Sequence, residues 1–459
     1  MTAPVAVPND VVKVSALRAL ARLPHRPLRA FETIGRECNG ALAELSLGPT
    51  RAYLATHPEH VQQVLVDNDT YRREGMLWKE LQRLEGNGLA GEGPLWRRSR
   101  RMVHPLLSAR GVRALLATTA AAVDEALDGL AEHSRTGRPV TLLPEMTRIT
   151  HRVLIRAFFS DRISIPDADR LGHAISQGLR IIRWRLLMPF VSHAIPLPGD
   201  RTFRRAVETI DAIVYPLIRA YRAGATTGDQ PADDRSQRTD LVAMFANAVD
   251  EAGQPLDEKR VRDDVVAMFV AGTEATATTL TWLFLLLDRH PEVAAGVAAE
   301  AREVVGDGPL HPDQLPGLVR TRMALEETLR LYPAGWLIPR RVARPTTISG
   351  VNLSPGDTIL LSPYLTHRLP AFWDRPHEFR PERFAPEQGR PHKFAYLPFG
   401  AGAHQCLGNH FALLESQLAV AGLFSRFRPR LAEPIPIEPR MAAILQPRSR
   451  PLLALEPRR

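Results

Sequence analysis

Residues 257–289 carry the feature that most limits how this chain can fold: a helical run that is apolar on nearly every side. The segments VVAMFVAG and ATATTLTWLFLLL leave it no wide polar face, so other elements must surround it. At 1.5 Å per residue it spans roughly 50 Å. His290-Pro291 ends it, because the residue before a proline is driven out of helical backbone. A chain of 459 residues, 44% of them apolar and 24% charged, has material enough to enclose such a helix. At this size about three quarters of the unfolded surface leaves water on folding. That balance excludes a disordered chain, a collagen and a coiled coil.

Further exclusions follow from composition. Only Cys38 and Cys406 are cysteines, which rules out a disulfide framework and a cysteine-rich zinc module. Free thiols and an N-terminus without an apolar h-region predict a reducing, cytoplasmic setting. No uninterrupted run of roughly 18 apolar residues occurs, so no membrane anchor is expected. The net charge of +9 is carried almost wholly by arginine, lysine standing only at 13, 79, 259 and 393. These charges are dispersed and often lie beside acids, as in DEKR at 257–260. The distribution predicts no nucleic-acid partner, and it favours an acidic protein partner.

Along the chain, residues 1–30 are expected to be a loose segment, with 31–459 forming a single catalytic domain. ALAELSLGPTRAYLATH (41–57) alternates about Gly48-Pro49 and predicts a β-hairpin. Residues 72–94 mix five glycines with Met76, Leu77, Trp78, Leu81 and Leu84, which reads as a flexible pocket lid. Helical periodicity governs 95–190, a polar loop is expected over 224–240, and another helix over 315–332. Extended pieces follow at 336–362, with turns at Ser349-Gly350 and Pro355-Gly356. Residues 367–398 lack periodicity, and a last helix begins near Leu407. The fold class expected is mainly α with a small β lobe (α+β).

The sharpest chemical signal is Phe399-Gly400-Ala401-Gly402-Ala403-His404-Gln405-Cys406-Leu407-Gly408. A cysteine at a helix start, after a glycine-rich approach, sits where free N–H groups and positive potential favour a thiolate. By itself this leaves three readings: an iron ligand, a buried structural cysteine, or a thiol nucleophile needing a histidine base.

The segment resembles the haem-binding loop of the cytochrome P450 family, with Phe399, Gly402, His404, Cys406 and Gly408 in place. The resemblance extends over most of the chain. Glu327-Thr328-Leu329-Arg330 is similar to the family's Glu-x-x-Arg, and Phe379-Arg380-Pro381-Glu382-Arg383-Phe384 to its Pro-Glu-Arg-Phe segment. Trp96-x-x-x-Arg100 resembles the helix whose Trp and Arg reach a haem propionate. Ala271-Gly272-Thr273-Glu274 lies in the central helix, as the family's oxygen-activating motif does.

The resemblance implies a b-type haem whose iron takes an axial thiolate from Cys406. It implies propionate donors at Trp96, Arg100, Arg340 and His404, beside Phe399 of the same loop; planar, charge-assisted donors suit a buried dianionic edge. It also implies a structural triad of Glu327, Arg330 and Arg383, the first two of which lie three apart on one helix face. Glu274 and Thr276 are the proton-relay candidates. Here the chain departs from the family, because Ala275 follows the acid where threonine is usual. Thr276 is rotated a further ~100° about the helix. Its hydroxyl is then available to the relay or is bonded back to its own helix.

The expected substrate pocket is apolar: Met76, Leu77, Trp78, the 180–190 stretch, Ala271, Ala334, Trp336, Leu337 and Ile338, with the two tryptophans as walls. The reading that follows is a monooxygenase hydroxylating a hydrophobic small molecule, a terpenoid by resemblance, with O2. Electrons are expected from a separate acidic ferredoxin and its reductase, and the chain is expected to act as a monomer. Polyketides and fatty acids are alternative substrates. Ala275 also motivates an isomerase- or dehydratase-like alternative that needs no electron supply.

Overall fold

The apolar run in the middle of the chain is one unbroken helix, Glu258–Arg289, and the rest of the structure is arranged around it. The computed structural model describes residues 11–14, 27–47, 50–159, 163–187, 197–227, 240–250, 252–389 and 391–457. The stretch 228–239 of the expected polar loop, and most of residues 1–26, lie outside them.

Strand β1 (Val11–Val14) precedes helix α1 (Pro27–Cys38), so part of the segment expected to be loose is built into the sheet. Its valines suit extended backbone, and Val12 pairs in parallel with Ala43. The predicted hairpin follows as β2 (Leu42–Leu47) and β3 (Thr50–Ala55), with Ala43 opposite Leu54. Next come α2 (Pro58–Val66), the two-residue β4 (Tyr71–Arg72) and α3 (Met76–Glu85). The glycine-rich segment expected to be a lid is therefore largely helical. Gly75 and Gly86 bound that helix at φ +101° and +75°, a region open chiefly to glycine.

The helical half contains α4 (Gly93–Leu107), α5 (Ala109–Ala114), α6 (Leu116–Asp128), α7 (Ala131–Thr136), β5 (Val140–Thr141) and α8 (Leu142–Phe158). It continues through α9 (Ile165–Leu187), α10 (Asp200–Thr227), α11 (Leu241–Ala246), the central α12 (Glu258–Arg289), α13 (Pro291–Val304) and α14 (Val319–Leu331). The largest core cluster runs through these helices. It includes Leu84, Val103, Leu154, Phe158, Phe269, Leu283 and Leu418, each at most 1% exposed. In length and apolarity α12 could cross a membrane, but 72% of its most apolar window is buried inside the protein.

The chain then returns to the β lobe with β6 (Ile338–Val342), β7 (Thr346–Ile348), β8 (Val351–Leu353) and β9 (Thr358–Leu361). The six-stranded sheet has the order β1-β2-β3-β9-β6-β4. In it Leu54 pairs in parallel with Leu360, and Arg340 lies opposite Ile359. Ser349 and Gly350, both at positive φ, make the tight turn between β7 and β8. Helix α15 (Pro363–Thr366) opens the irregular stretch that leads to the Cys406 loop, after which α16 (Asn409–Arg426) returns to the core. Strands β10 (Phe427–Leu431), β11 (Pro439–Met441), β12 (Leu445–Pro447) and β13 (Leu452–Pro457) complete the fold.

Candidate active site

The Cys406 loop and the middle of α12 face each other across a cavity of about 450 Å³. Gly400 and Gly402 carry φ of +68° and +72°, which turns the chain back under the cavity. The Phe399 carbonyl accepts the Cys406 N–H at 2.9 Å, closing the loop. The Gly408 N–H donates to the sulfur. Cys406 lies deep in the molecule, yet its side chain is accessible from the cavity. Burial pushes its thiol pKa up, opposed by the Gly408 amide and the Arg100 charge. Bound to a metal cation, such a sulfur is held as thiolate.

Beside the sulfur is a cluster of basic residues whose three arginines outnumber the one acid that, among the described residues, is bonded into it, Glu92. Arg73, Arg100, Arg340 and His404 all line the cavity with Trp96. Burial, with the Arg73 charge beside it, lowers Arg340 to about 9; burial also lowers Arg73 to about 10, with Arg100 adding to the effect, and Glu92 opposes both shifts. Arg100 donates to the Gln405 carbonyl at 2.8 Å and lies 5.9 Å from the Trp96 ring centre. Trp96 packs on the His404 ring at 3.9 Å between centroids.

Among the described residues, Glu92 is the one acid bonded into this group. It accepts the Arg73 backbone N–H at 2.9 Å and the His404 Nε2 at 3.1 Å. Burial opposes its ionisation, but these hydrogen bonds bring it down to about 2. Burial keeps His404 neutral, with a pKa of about 4. Among the described residues, the Nε atoms of Arg73 and Arg340 and the Nδ1 of His404 are buried without partners. Buried polar groups of this kind cost free energy unless they are hydrogen-bonded. An anion against them would satisfy the guanidinium donors and draw a second proton onto His404. The residues present thus fit a flat, dianionic cofactor whose metal meets the cysteine sulfur. Among the described residues no group of three or more His, Cys, Asp or Glu forms a metal site of its own.

Not every predicted residue reaches the cavity. Trp78, Ala271, Ile338 and Phe399 line it, as do Ala334 and Gly335. Met76 and Leu77 do not, because α3 turns Trp78, Leu81 and Glu85 inward at helical spacing. Trp336 and Leu337 pack in a separate core against Phe31 and Leu445, and the Trp336 indole N–H donates to the Ala442 carbonyl at 2.9 Å. Of the 180–190 stretch, Arg180 faces a different crevice, and the side chains of 183–190 lie outside the described residues.

Glu274 also opens to that second crevice, where its carboxylate accepts from Gln446 Nε2 at 2.7 Å. Burial raises its pKa, while Gln446 and Arg440 lower it. Thr276 does line the cavity. Thr273, Thr279 and Thr281 bond back to carbonyls of their own helix at 2.8–3.0 Å. The Thr276 hydroxyl makes no such bond among the described residues.

Glu327, Arg330 and Arg383 are brought together on α14 and the 381–384 turn beneath the loop. Arg73, Glu85 and Glu92 were not foreseen; none sits in a motif, and each gains meaning only from distant partners.

A thiol-bearing loop under a long helix, with a cationic rim for a dianion, is the architecture of a haem-thiolate oxidoreductase. The family model for cytochrome P450 matches residues 21–455, and the chain belongs to that family. It is a cytochrome P450 monooxygenase, of a family whose members are haem-thiolate enzymes with iron. Among its relatives, cyclooctat-9-en-7-ol 5-monooxygenase of Streptomyces melanosporofaciens is 35% identical over 434 residues, 94% of this chain and 89% of that protein. Cyclooctatin synthase of the same organism is 32% identical over 91% of this chain and 89% of its own length. Pentalenene oxygenase of Streptomyces avermitilis is 29% identical over 93% and 92%. A crystal structure of a cytochrome P450 superposes with a TM-score of 0.82 at 22% identity, covering 99% of this chain and 100% of that one.

Proposed function

We propose that the chain hydroxylates a terpenoid, with Cys406 as the axial ligand of a b-type haem. The observation that carries this reading is the placement of the Cys406 sulfur under Ala271 and Ala275 of α12, next to buried cationic groups without partners. The three Streptomyces relatives named above support the substrate class. The bound haem would supply the activation of O2 and its insertion into a C–H bond.

The Gly408 amide and the backbone turn at Gly400–Gly402 hold the sulfur and moderate its charge. Arg73, Arg340 and His404, with Trp96 and Arg100 beside them, would neutralise the propionates. Ala271 and Ala275 present only methyl groups to the cavity, which would leave room there for a flat cofactor. The Thr276 hydroxyl, which faces the cavity, can pass a proton into it, whereas Glu274 lies about 200° round the helix in the second crevice and is held there by Gln446. Leu81, Leu89, Leu154 and Phe158 form an apolar wall suited to a hydrocarbon skeleton. Exposed Arg97, Arg101, Arg110 and Arg113 lie on α4 and α5, near the sulfur side of the molecule. They suit docking of an acidic ferredoxin.

The test is twofold. The reduced carbon monoxide complex should show the thiolate-type Soret band, and Cys406→Ser should abolish it. With ferredoxin, its reductase and NADPH, a terpene panel should give hydroxylated products. Product formed equally without electron donor would overturn the monooxygenase reading of the substrate reaction in favour of an isomerase.

A further inference from the structure

Glu85, the last residue of α3, is a carboxyl in the otherwise apolar cavity wall formed by Leu81, Leu89, Leu154 and Phe158. It is 9% exposed, and what opens beside it is the cavity. Among the described residues it has no hydrogen-bond or ion-pair partner; Arg73 acts on it only through space. Other buried acids of the chain differ. Glu274 is met by Gln446, and Glu300 by the Thr321 hydroxyl and amide. Glu415 is also without a partner at Oε1, but it does not line the cavity.

Glu85 is not free to leave. On one side the Leu84 carbonyl accepts from Arg262 at 2.8 Å. On the other, the amides of Asn87 and Leu89 donate to Asp263 and Asp264 at 3.3 and 2.9 Å. The backbone is thus fastened to α12 on both sides of the carboxyl. Burial raises the Glu85 pKa to about 8, with Arg73 opposing, so at neutral pH the group is mostly protonated and offers both a donor and an acceptor. A buried polar group of this kind lowers stability until something in the cavity bonds to it.

We infer that Glu85 anchors an oxygen already present on the substrate, so that this enzyme acts on an oxygenated terpenoid, an alcohol or ketone, rather than on a bare hydrocarbon. The inference rests on the terpenoid reading above and narrows it. The reaction that supplies the substrate must then be one that installs oxygen: a preceding hydroxylation, or a cyclisation ended by capture of water. Glu85 is a specificity-determining residue in this account, and it takes no part in the chemistry at iron.

Isothermal titration of the holoenzyme with two matched pairs, limonene with α-terpineol and cedrene with cedrol, tests this. The wild type should bind at least one alcohol about tenfold or more tightly than its hydrocarbon, as expected for a buried hydrogen bond. Glu85→Leu should reduce that preference to within about twofold while leaving hydrocarbon binding unchanged or tighter. Glu85→Gln, which keeps a donor and an acceptor, should retain most of it. Equal wild-type affinity within both pairs, no binding of either alcohol, or a preference that survives in Glu85→Leu would overturn the inference. The carbon monoxide spectrum of the same samples reports separately on the haem-thiolate reading, since calorimetric preference does not depend on it.

Discussion

Arg330 and Glu327 form a two-pronged ion pair in which neither side chain touches solvent: Nε to Oε2 at 2.7 Å and Nη2 to Oε1 at 2.9 Å. The other guanidinium hydrogens go to the carbonyls of His367, Pro376 and Glu378, so all five donors are used. Glu327 also accepts the Arg380 amide at 2.8 Å and Arg383 Nε at 3.3 Å. The pair thereby ties α14 to the irregular stretch that carries the Cys406 loop. Arg330→Ala should cost about 3–5 kcal/mol, the penalty for stranding a buried charge, and should yield protein that does not retain haem. Arg383 is at the rim with its side chain 11% exposed, so Arg383→Ala should cost about 1–2 kcal/mol. Denaturation midpoints and the haem-to-protein ratio after purification check both.

Gly402 and Gly400 should respond differently to alanine. A methyl group at 402 would come within 1.9 Å of the Leu65 carbonyl oxygen, whereas at 400 nothing lies within 4 Å. Gly400→Ala should therefore cost about 1–2 kcal/mol for its left-handed backbone alone. Gly402→Ala should displace the loop and abolish the thiolate-type carbon monoxide band. If both variants keep the band, the loop is less tightly defined than its contacts imply.

Acid should weaken the fold well above the carboxylate range. Burial lowers His60 and His151 to about 4 and His367 to about 3. Above about pH 6.5 these rings are neutral in both folded and unfolded chains. Below it the unfolded chain gains protons that the folded one refuses, so stability falls as pH falls towards those values. The loss is about 1.4 kcal/mol per pH unit for each ring. His367 is the most telling, because its Nδ1 donates to the Arg330 carbonyl and its Nε2 accepts the Leu397 amide, a pattern only the neutral ring provides. Denaturant titrations between pH 8 and 5 should show this slope, and His60→Asn should reduce it by about one ring's share.

The proton path makes a further prediction. Thr276 has the only cavity-facing hydroxyl in the Ala271–Thr276 stretch, so Thr276→Val should raise peroxide leakage during turnover several-fold. Ala275→Thr, which places a second hydroxyl on the cavity face, should lower it. Peroxide released per NADPH consumed is the measurement. Unchanged leakage in both variants would mean that protons arrive by another route.

Much of this architecture could be read in advance where the signal was local. The hairpin about Gly48-Pro49, the central helix, the Glu-x-x-Arg pair and the cysteine loop each depend on residues close in sequence. The failures share a cause. Met76, Leu77, Trp336 and Leu337 are as apolar as true cavity residues, and only the facing of α3 and the approach to β6 turn them elsewhere. Arg73 looks like an ordinary charge until the fold brings it 5.6 Å from the Trp96 ring. Glu85 and Glu92 acquire their character from burial and from partners in distant segments, which no short pattern encodes.

Asp263 and Asp264 have a consequence for how such an enzyme can diversify. A side chain at Gly86 or Gly88 would run into their carboxyl groups at 1.8 Å, so the path of residues 86–89 is locked to α12. New specificities must then arise by exchanging side chains at Trp78, Leu81 and Glu85, not by re-routing the backbone that presents them. Libraries built on those three positions should yield folded variants far more often than libraries that lengthen or shorten the turn.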